Sequence, residues 1–378
     1  MRLYDTARQA VVPFEPGPVA TLYTCGITPY DAAHLGHAAV YLTFDVLVRR
    51  LHDLGNATRC VRNVTDVDDD ILRKARELGV HYLDLAAEEM ARFDADMSAL
   101  GLLPADAEPR ATSAVPDILS LVGAALDAGH AYRAGGAVYF DVTTFPAFGQ
   151  LSHLEPSEML RLAAERGGNP DDPDKRHPLD FVMWQPSRPD EPAWESRWGP
   201  GRPGWHIECS ALALRELGTT VDLHGGGRDL VFPHHECEAA QSEAVTGTTF
   251  ARHWLHVGLV GLGCEKMSKS LGNLVFVGDL VKEWEPPAVR LALLAHHYRG
   301  DWEWTPADLP PAAERLDLWR GAPAGPVARE GDLALDGVRQ CLDDDLDVPG
   351  ALAVLDDCAR RRRPVRAGAA LLGVALDR

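Results

Sequence analysis

Long apolar runs are missing. No uninterrupted stretch of about 18 apolar residues occurs in the 378, so a membrane-spanning helix is not expected. A basic start followed by a short apolar core is missing too, and the chain is expected to work in the cytoplasm. Positive charge is in deficit: 37 Lys and Arg face 56 Asp and Glu, a formal net charge of −19. A protein that grips an RNA backbone carries a basic face. The acidic balance lowers the expectation of a nucleic-acid partner, although a local basic patch can sit on an acidic protein. The seven cysteines are odd in number and show no tight pairing. That fits reduced thiols and a metal site better than a disulfide frame. No internal repeat is visible. What is present is an ordinary globular composition, 46% hydrophobic and 25% charged, in a length sufficient for two or three domains.

One stretch carries chemistry early in the chain. Cys25–His37 reads CGITPYDAAHLGH. It follows a short apolar run, Ala20–Tyr23, that reads as a strand, and precedes a helical run, Val40–Leu54. A helix N-terminus presents unpaired N–H groups that suit phosphate. Gly36 leaves room for a base or ribose against the backbone. His34 and His37 are placed to donate to phosphate oxygens. Late in the chain Lys266-Met267-Ser268-Lys269-Ser270 precedes Leu271-Gly272-Asn273. Two lysines three residues apart on a Ser-rich loop can grip a departing pyrophosphate. An HLGH string and a KMSKS string in one chain resemble the class I aminoacyl-tRNA synthetase catalytic domain, whose two signatures these are.

The remaining chain fits an α/β architecture. Thr21–Asp70 reads as strand, site loop, helix and a second strand at Thr58–Asn63, a βαβ unit with a right-handed crossover. The polar run 63–69, NVTDVDD, lies at the carboxyl end of that strand, where ligand crevices form. Two helices with a break near Gly79 are expected over Ile71–Leu102, then one over Asp106–Gly129, a strand at Ala137–Val142 and a helix over Gly149–Arg166. Glu165-Arg166-Gly167-Gly168-Asn169-Pro170 ends that helix with a glycine stop. Asp171–Trp198 reads as a long ordered loop anchored by Phe181, Trp184 and Trp194. A helix at Ser210–Leu217 and a short strand at Val221–Leu223 come next. The triplet Gly225–Gly227 after His224 reads as a glycine turn that holds adenosine, with Asp229 accepting from ribose hydroxyls. A helix carrying Glu238 and Gln241 follows. After KMSKS, helices are expected at Pro287–Tyr298, Pro311–Trp319, Asp332–Leu342 and Pro349–Arg360, with a Gly/Ala/Pro linker at Gly321–Val327.

Cys25, Cys209 and His234 form a zinc-type donor set, with Glu238 one helical turn after His234 as a possible fourth. The glycine-led GRPGWHIECSA around Cys209, the HGGGRDLVFPHHE run and KMSKSLGN resemble cysteinyl-tRNA synthetase over most of residues 20–305. CGITPYDAAHLGHAAVYLTFD, NVTDVDD and ERGGNP resemble more closely the mycothiol-pathway cysteine ligases, which share the synthetase fold and zinc site. That family carries Asp at the position of Asn169 and Thr at that of Val40, and its zinc helix lacks the acidic residue seen here as Glu238.

The resemblance implies a Rossmann-type catalytic domain split into residues 1–100 and 201–265. Between them lies an inserted α/β connective subdomain at 101–200. A KMSKS and stem-contact region follows at 266–305, then a C-terminal helical domain at 306–378 without an anticodon-binding part. It implies ATP-dependent activation of L-cysteine as cysteinyl-AMP and transfer to the amine of glucosaminyl-inositol. The alternatives are a short cysteinyl-tRNA synthetase and a paralogue that uses another amine. One zinc ion and Mg²⁺ with ATP are the implied cofactors. His34, His37, Lys266 and Lys269 take the catalytic roles. Cys25, Gly26, Ile27, Thr28, Val40, Asn63, Val64, Thr65, Trp205, Gly227, Arg228, Asp229 and Val260 take the substrate and adenylate roles. A monomer is expected, and tRNA is not an expected partner.

Overall fold

A computed structural model describes residues 1–30, 33–263, 274–324 and 332–377, and residues 265–266 as backbone. Strands β1 (Arg2–Asp5) and β2 (Ala10–Pro13) make an antiparallel hairpin. The βαβ unit follows as β3 (Val19–Ile27), α1 (Leu35–Asp53) and β4 (Ala57–Val64). Helices α2 (Asp69–Leu78) and α3 (Tyr82–Ala99) come next, broken at Gly79 with φ +67°. Then α4 (Val115–Asp127), β5 (Ala131–Ala134), β6 (Ala137–Phe140), α5 (Pro156–Glu165), β7 (Phe181–Gln185) and β8 (Arg202–Pro203) build an inserted unit. The chain returns through α6 (Trp205–Leu217), β9 (Leu223–Gly227), α7 (Glu236–Thr246) and β10 (Trp254–Val257). It continues with β11 (Val260–Leu262), β12 (Glu265–Lys266), α8 (Val277–Glu283), α9 (Pro286–Leu294) and β13 (Trp302–Glu303). Helices α10 (Leu309–Arg320), α11 (Leu333–Asp343), α12 (Val348–Arg360) and α13 (Arg366–Leu371) end it.

The central sheet has the order β10-β9-β3-β4 and every pairing in it is parallel. Consecutive strands β3 and β4 are neighbours, and the second half of the chain adds β9 and β10 on the other side of β3. Such sheets are covered on both faces and bind ligands beyond their carboxyl ends. A separate antiparallel sheet, β5-β6-β7-β8, carries the inserted unit.

Two large cores, beside two smaller clusters, hold the described residues. One joins α1, α3 and the C-terminal helices through residues such as Leu42, Phe93, Leu291, Leu335 and Leu355. The other joins the inserted unit to α6 and α7 through Phe140, Phe181, Trp184, Ile207 and Phe232. At the first, Arg290 of α9 is almost fully enclosed. It bonds the Asp45 carboxylate of α1 and donates to Leu100 O at 3.0 Å and Leu372 O at 2.9 Å. No helix among the described residues is long and apolar enough to cross a membrane.

Several sequence expectations need correction. The helix expected from Gly149 starts only at Pro156, because Gly149 and His153 take positive φ and Pro156 suits a first helical position. Within the expected loop 171–198, Phe181–Gln185 is a strand, and its apolar anchors face a core. The expected glycine turn at 225–227 is strand β9. A Cβ at Gly225 would lie 2.0 Å from Leu255 O and 2.8 Å from the Phe44 ring. Glycine there lets β9 pack between β10 and α1. The helix starting at Ser210 begins at Trp205, so Cys209 is helical rather than on a loop. Pro287–Tyr298 shortens to α9, and α13 was not expected at all.

Candidate active site and metal cluster

Cys25 sits inside β3, near its carboxyl end, rather than beyond it. The neighbouring backbone is held tightly. Gly26 N donates to Asn63 Oδ1 at 2.8 Å, and a Cβ on Gly26 would lie 1.5 Å from Asn63 O. Only glycine fits that approach between β3 and β4. Asn63 Nδ2 donates to Thr65 Oγ1 at 3.0 Å, and Thr65 N donates to Ile27 O at 3.0 Å. Val64, in the same strand end, is buried. Thr28 Oγ1 donates to Asp68 Oδ2 at 2.9 Å, while Asp68 Oδ1 caps α2. Residues 25–28 and 63–65 thus form one rigid wall at the end of two adjacent parallel strands.

The cysteine, histidine and carboxylate donors converge at this wall. Cys25 comes from β3, Cys209 from α6, Glu238 from α7, and His234 from the π-helical turn before α7. One ligand atom from each lies within 4.8 Å of the others, and all four residues are buried. The Cys25 and Cys209 sulfurs are 3.9 Å apart, and His234 Nε2 is 3.1 Å from Glu238 Oε1. Tetrahedral coordination by thiolates at about 2.3 Å sets sulfurs about 3.8 Å apart. The donors therefore fit a metal ion of zinc type. A second overlapping set, Cys25, His224, His235 and Glu238, is equally close. Sequence reasoning left Glu238 open as a ligand; its Oε1 lies with the sulfurs and its Oε2 is 3.0 Å from His224 Nε2.

His224 and His235 were not picked out as donors by sequence reasoning. Their signal was the second His of the HH pair and the His ahead of the three glycines. His235 Nδ1 lies 2.7 Å from His256 Nε2, and His256 Nδ1 lies 2.7 Å from Thr6 Oγ1. Gln241 donates to Ser210 Oγ at 2.7 Å and to His206 O at 2.8 Å. It braces the helices that bring Cys209 and Glu238 together. Trp205 stacks on His234 with ring centroids 4.2 Å apart.

The electrostatics suit a cation. Burial pushes Glu238 up, but His224 and His234 outweigh it and hold the carboxyl at about 2. Burial pushes His234 down, but Glu238 and Cys209 lift it to about 10. A hydrogen bond from Cys25 holds the Cys209 thiol below its usual range. Glu238 and Cys209 thus hold the forms a metal takes, whereas His234, kept protonated, and Cys25, whose thiol burial and Cys209 push up, each give up a proton on ligation.

The HLGH string sits at the start of α1. His34 is its N-cap residue, and the His34 and His37 rings stack at 3.8 Å. The segment after KMSKS lies against this point: Leu35 N donates to Val275 O and Val277 N to Ala33 O, each at 3.0 Å. The start of α1 and residues 275–277 are thereby neighbours through backbone bonds. Lys266 pairs with Gly261 across β11 and β12. Lys269 lies outside the described residues, as does most of the KMSKS string. Val260 is buried at the start of β11.

A second corner is formed where β9 stops. A Cβ on Gly227 would be 2.5 Å from Asp229 Oδ1 and 3.9 Å from Val40. Gly227, Asp229 and Val40 therefore share one corner. Arg228 turns away from it and pairs with Asp301 at 2.9 Å.

The comparisons with known proteins agree with this geometry. Residues 11–314 match the family described as tRNA synthetases class I (C) catalytic domain. A relative from Acidothermus cellulolyticus named L-cysteine:1D-myo-inositol 2-amino-2-deoxy-alpha-D-glucopyranoside ligase is 50% identical over 94% of this chain and 88% of its own. A relative of the same name from Thermomonospora curvata is 49% identical over 100% of this chain and 94% of its own. The chain belongs to this ligase family, a branch of the class I synthetase fold. Among solved structures, Mycobacterium tuberculosis methionyl-tRNA synthetase in complex with methionyl-adenylate superposes with a TM-score of 0.68 at 18% identity, covering 95% of this chain and 88% of that one. A leucyl enzyme from Agrobacterium radiobacter K84 gives 0.60 at 11% identity, covering 96% and 83%. Those two likenesses concern the fold alone.

Proposed function

We infer that the chain is an ATP-dependent, AMP-forming ligase. It activates L-cysteine as cysteinyl-AMP and transfers it to the amine of 1D-myo-inositol 2-amino-2-deoxy-α-D-glucopyranoside. The observation that carries this reading is the match at about half identity, over nearly the whole chain, to ligases bearing that name. The buried donor set supports the choice of amino acid. Cys25, Cys209, His234 and Glu238 would hold a zinc ion, which supplies a Lewis-acid anchor for the substrate thiolate. A site that demands such a bond rejects serine strongly, as sites with buried polar groups reject analogues that leave them unpaired.

The chain's own residues do the rest. Trp205, stacked on His234, covers the amino acid. Gly26, Ile27, Thr28, Asn63, Val64 and Thr65 line the wall beside its carboxylate and amine. Gly227, Asp229, Val40 and Val260 hold the adenosine. Arg228 fixes their loop through Asp301. His34 and His37 donate to the α-phosphate as the cysteine carboxylate attacks it, with Mg²⁺ on the phosphates. Lys266 and Lys269 neutralise the leaving pyrophosphate. In the second step the sugar amine attacks the adenylate carbonyl, the C–O bond to AMP breaks, and an amide forms as the amine loses a proton. The unit at 101–200 serves as a connective subdomain and 306–378 as a helical one.

The test is AMP release from ATP and cysteine, with glucosaminyl-inositol or tRNA added. Sugar-amine-dependent turnover without tRNA charging is expected. Charging of tRNA would make the chain a synthetase, and cysteine-dependent pyrophosphate exchange with neither acceptor would point to another amine.

A further inference from the structure

The ERGGNP string at the end of α5 has no part in the chemistry above, yet it reaches the site. Arg166 follows α5 and is fixed by the helix stop. Its N–H donates to Leu162 O at 3.1 Å, and Gly168 N donates to Ala163 O at 2.7 Å. Gly167 takes φ +81°, a conformation that glycine supplies without strain. A Cβ on Gly168 would lie 2.9 Å from Ala163 O. Lys175 Nζ donates back to Gly168 O. The turn is therefore rigid, and it aims one guanidinium across to the second half of the catalytic sheet. Arg166 Nη1 donates to both Asp229 O and Phe232 O.

Those two carbonyls lie on a stretch of irregular helical turns. Residues 228–230 form a single 3-10 turn, and residues 231–235 form a π-helical turn. Phe232 inside it has φ −136° and ψ 134°, which breaks the helical ladder. A break of that kind leaves carbonyls without their usual N–H partners. The broken segment joins the proposed ribose acceptor Asp229 to the proposed metal ligand His234. Both bonds come from one terminal nitrogen, Nη1, whose two N–H groups are held in the guanidinium plane, whereas the donors of a lysine ammonium rotate freely on a shorter stem. A second clamp lies alongside: the Glu236 carboxylate accepts from Gly149 N and Ser152 N, each at 2.8 Å. The inserted unit thus grips the same stretch at two points.

We propose that Arg166 is a positioning residue that sets Asp229 for the ATP ribose, making the inserted unit part of the nucleotide pocket. The proposal rests on the reading of the chain as an ATP-dependent cysteine ligase, in which Asp229 meets the ribose. Arg166 itself touches neither substrate.

The experiment compares wild type, Arg166→Ala and Arg166→Lys. ATP affinity is measured by calorimetry without cysteine, and cysteine-dependent ATP–pyrophosphate exchange gives KM for each substrate. In Arg166→Ala, ATP affinity is expected to fall about tenfold or more, and KM for ATP to rise in step. KM for cysteine should stay within about threefold, with metal content unchanged. Arg166→Lys, with a shorter reach and no planar guanidinium to fix its N–H directions, should recover only part of the loss. Unchanged ATP affinity in folded Arg166→Ala would overturn the proposal. So would equal losses for ATP and cysteine, or a loss of metal, since either marks a general structural brace. If Arg166→Ala does not fold, Arg166→Lys and Arg166→Gln carry the same comparison. Absence of cysteine-dependent exchange in wild type would refute the assigned activity, while the ATP affinities would still judge Arg166.

Discussion

Two of the places where the described residues bury charge treat it in opposite ways. Around Arg290 the guanidinium meets the Asp45 carboxylate and the carbonyls of Leu100 and Leu372, so donors and acceptors cancel. Around Cys25, Cys209, His234 and Glu238, electron-pair donors crowd together, with two sulfurs 3.9 Å apart. A satisfied buried pair ties elements together and calls for nothing more. A convergence of buried donors is costly unless a cation or protons occupy it. The difference separates a structural lock from a site, although both look equally buried.

The sharpest way to break this comparison is at the cluster. Cys209→Ala should lose bound metal and reduce cysteine-dependent pyrophosphate exchange by more than about 100-fold, because a direct ligand matters at least as much as its supporting shell. Metal analysis and exchange assays on the purified variant check it, with far-UV circular dichroism expected to stay unchanged. Chelator treatment of wild type should give the same loss, restored by zinc. Next comes the lock. Arg290→Met leaves the enclosed Asp45 with Arg49 as its remaining cation and should cost up to about 3–5 kcal/mol in urea unfolding. Metal content should remain at the wild-type level. If that variant lost metal as well, the two regions would not be separable.

Acidity sharpens the same contrast. Burial pushes the Asp45 carboxyl up, but Arg290 and Arg49 outweigh it and hold it below the ordinary range. The folded value lies below the unfolded one, so the stability this pair contributes is complete above about pH 4 and is lost as pH falls through the depressed value. Wild-type urea midpoints should therefore drop more steeply below pH 4 than those of the double variant Asp45→Asn with Arg290→Met. The smallest effect is expected at the adenosine corner. Val40→Thr adds a hydroxyl beside Gly227 and should change KM for ATP by less than about threefold.

Much of the architecture was legible in residue patterns. The β3-α1-β4 unit follows from an apolar run, a helical run and a second apolar run, with errors of a few residues at each end. The break at Gly79 was legible because glycine there stops one helix in the left-handed region. The three glycines after His224 misled. Glycine signals a turn in isolation, yet here it admits a neighbouring strand's carbonyl at a distance no side chain tolerates. The strand Phe181–Gln185 lay hidden among prolines and aspartates, since its pairing with β6 and β8 is not a local property.

The candidate site divides the same way. Residue types made Cys25, Cys209 and His234 candidates, because thiolate and imidazole are preferred zinc donors, and the resemblance to the synthetase motifs singled them out. By itself the sequence determined the donor chemistry, the helix start beside HLGH and the order of the α/β elements. Those depend on local composition and on short spacing along the chain. Only the tertiary structure decided that Glu238 stands among the sulfurs, that His224 and His235 join it, and that Arg228 turns away toward Asp301. Only it showed Arg166 reaching the carbonyls of Asp229 and Phe232 from 63 and 66 residues away. Those relations arise when separate segments pack together, and spacing along the sequence does not encode such distances.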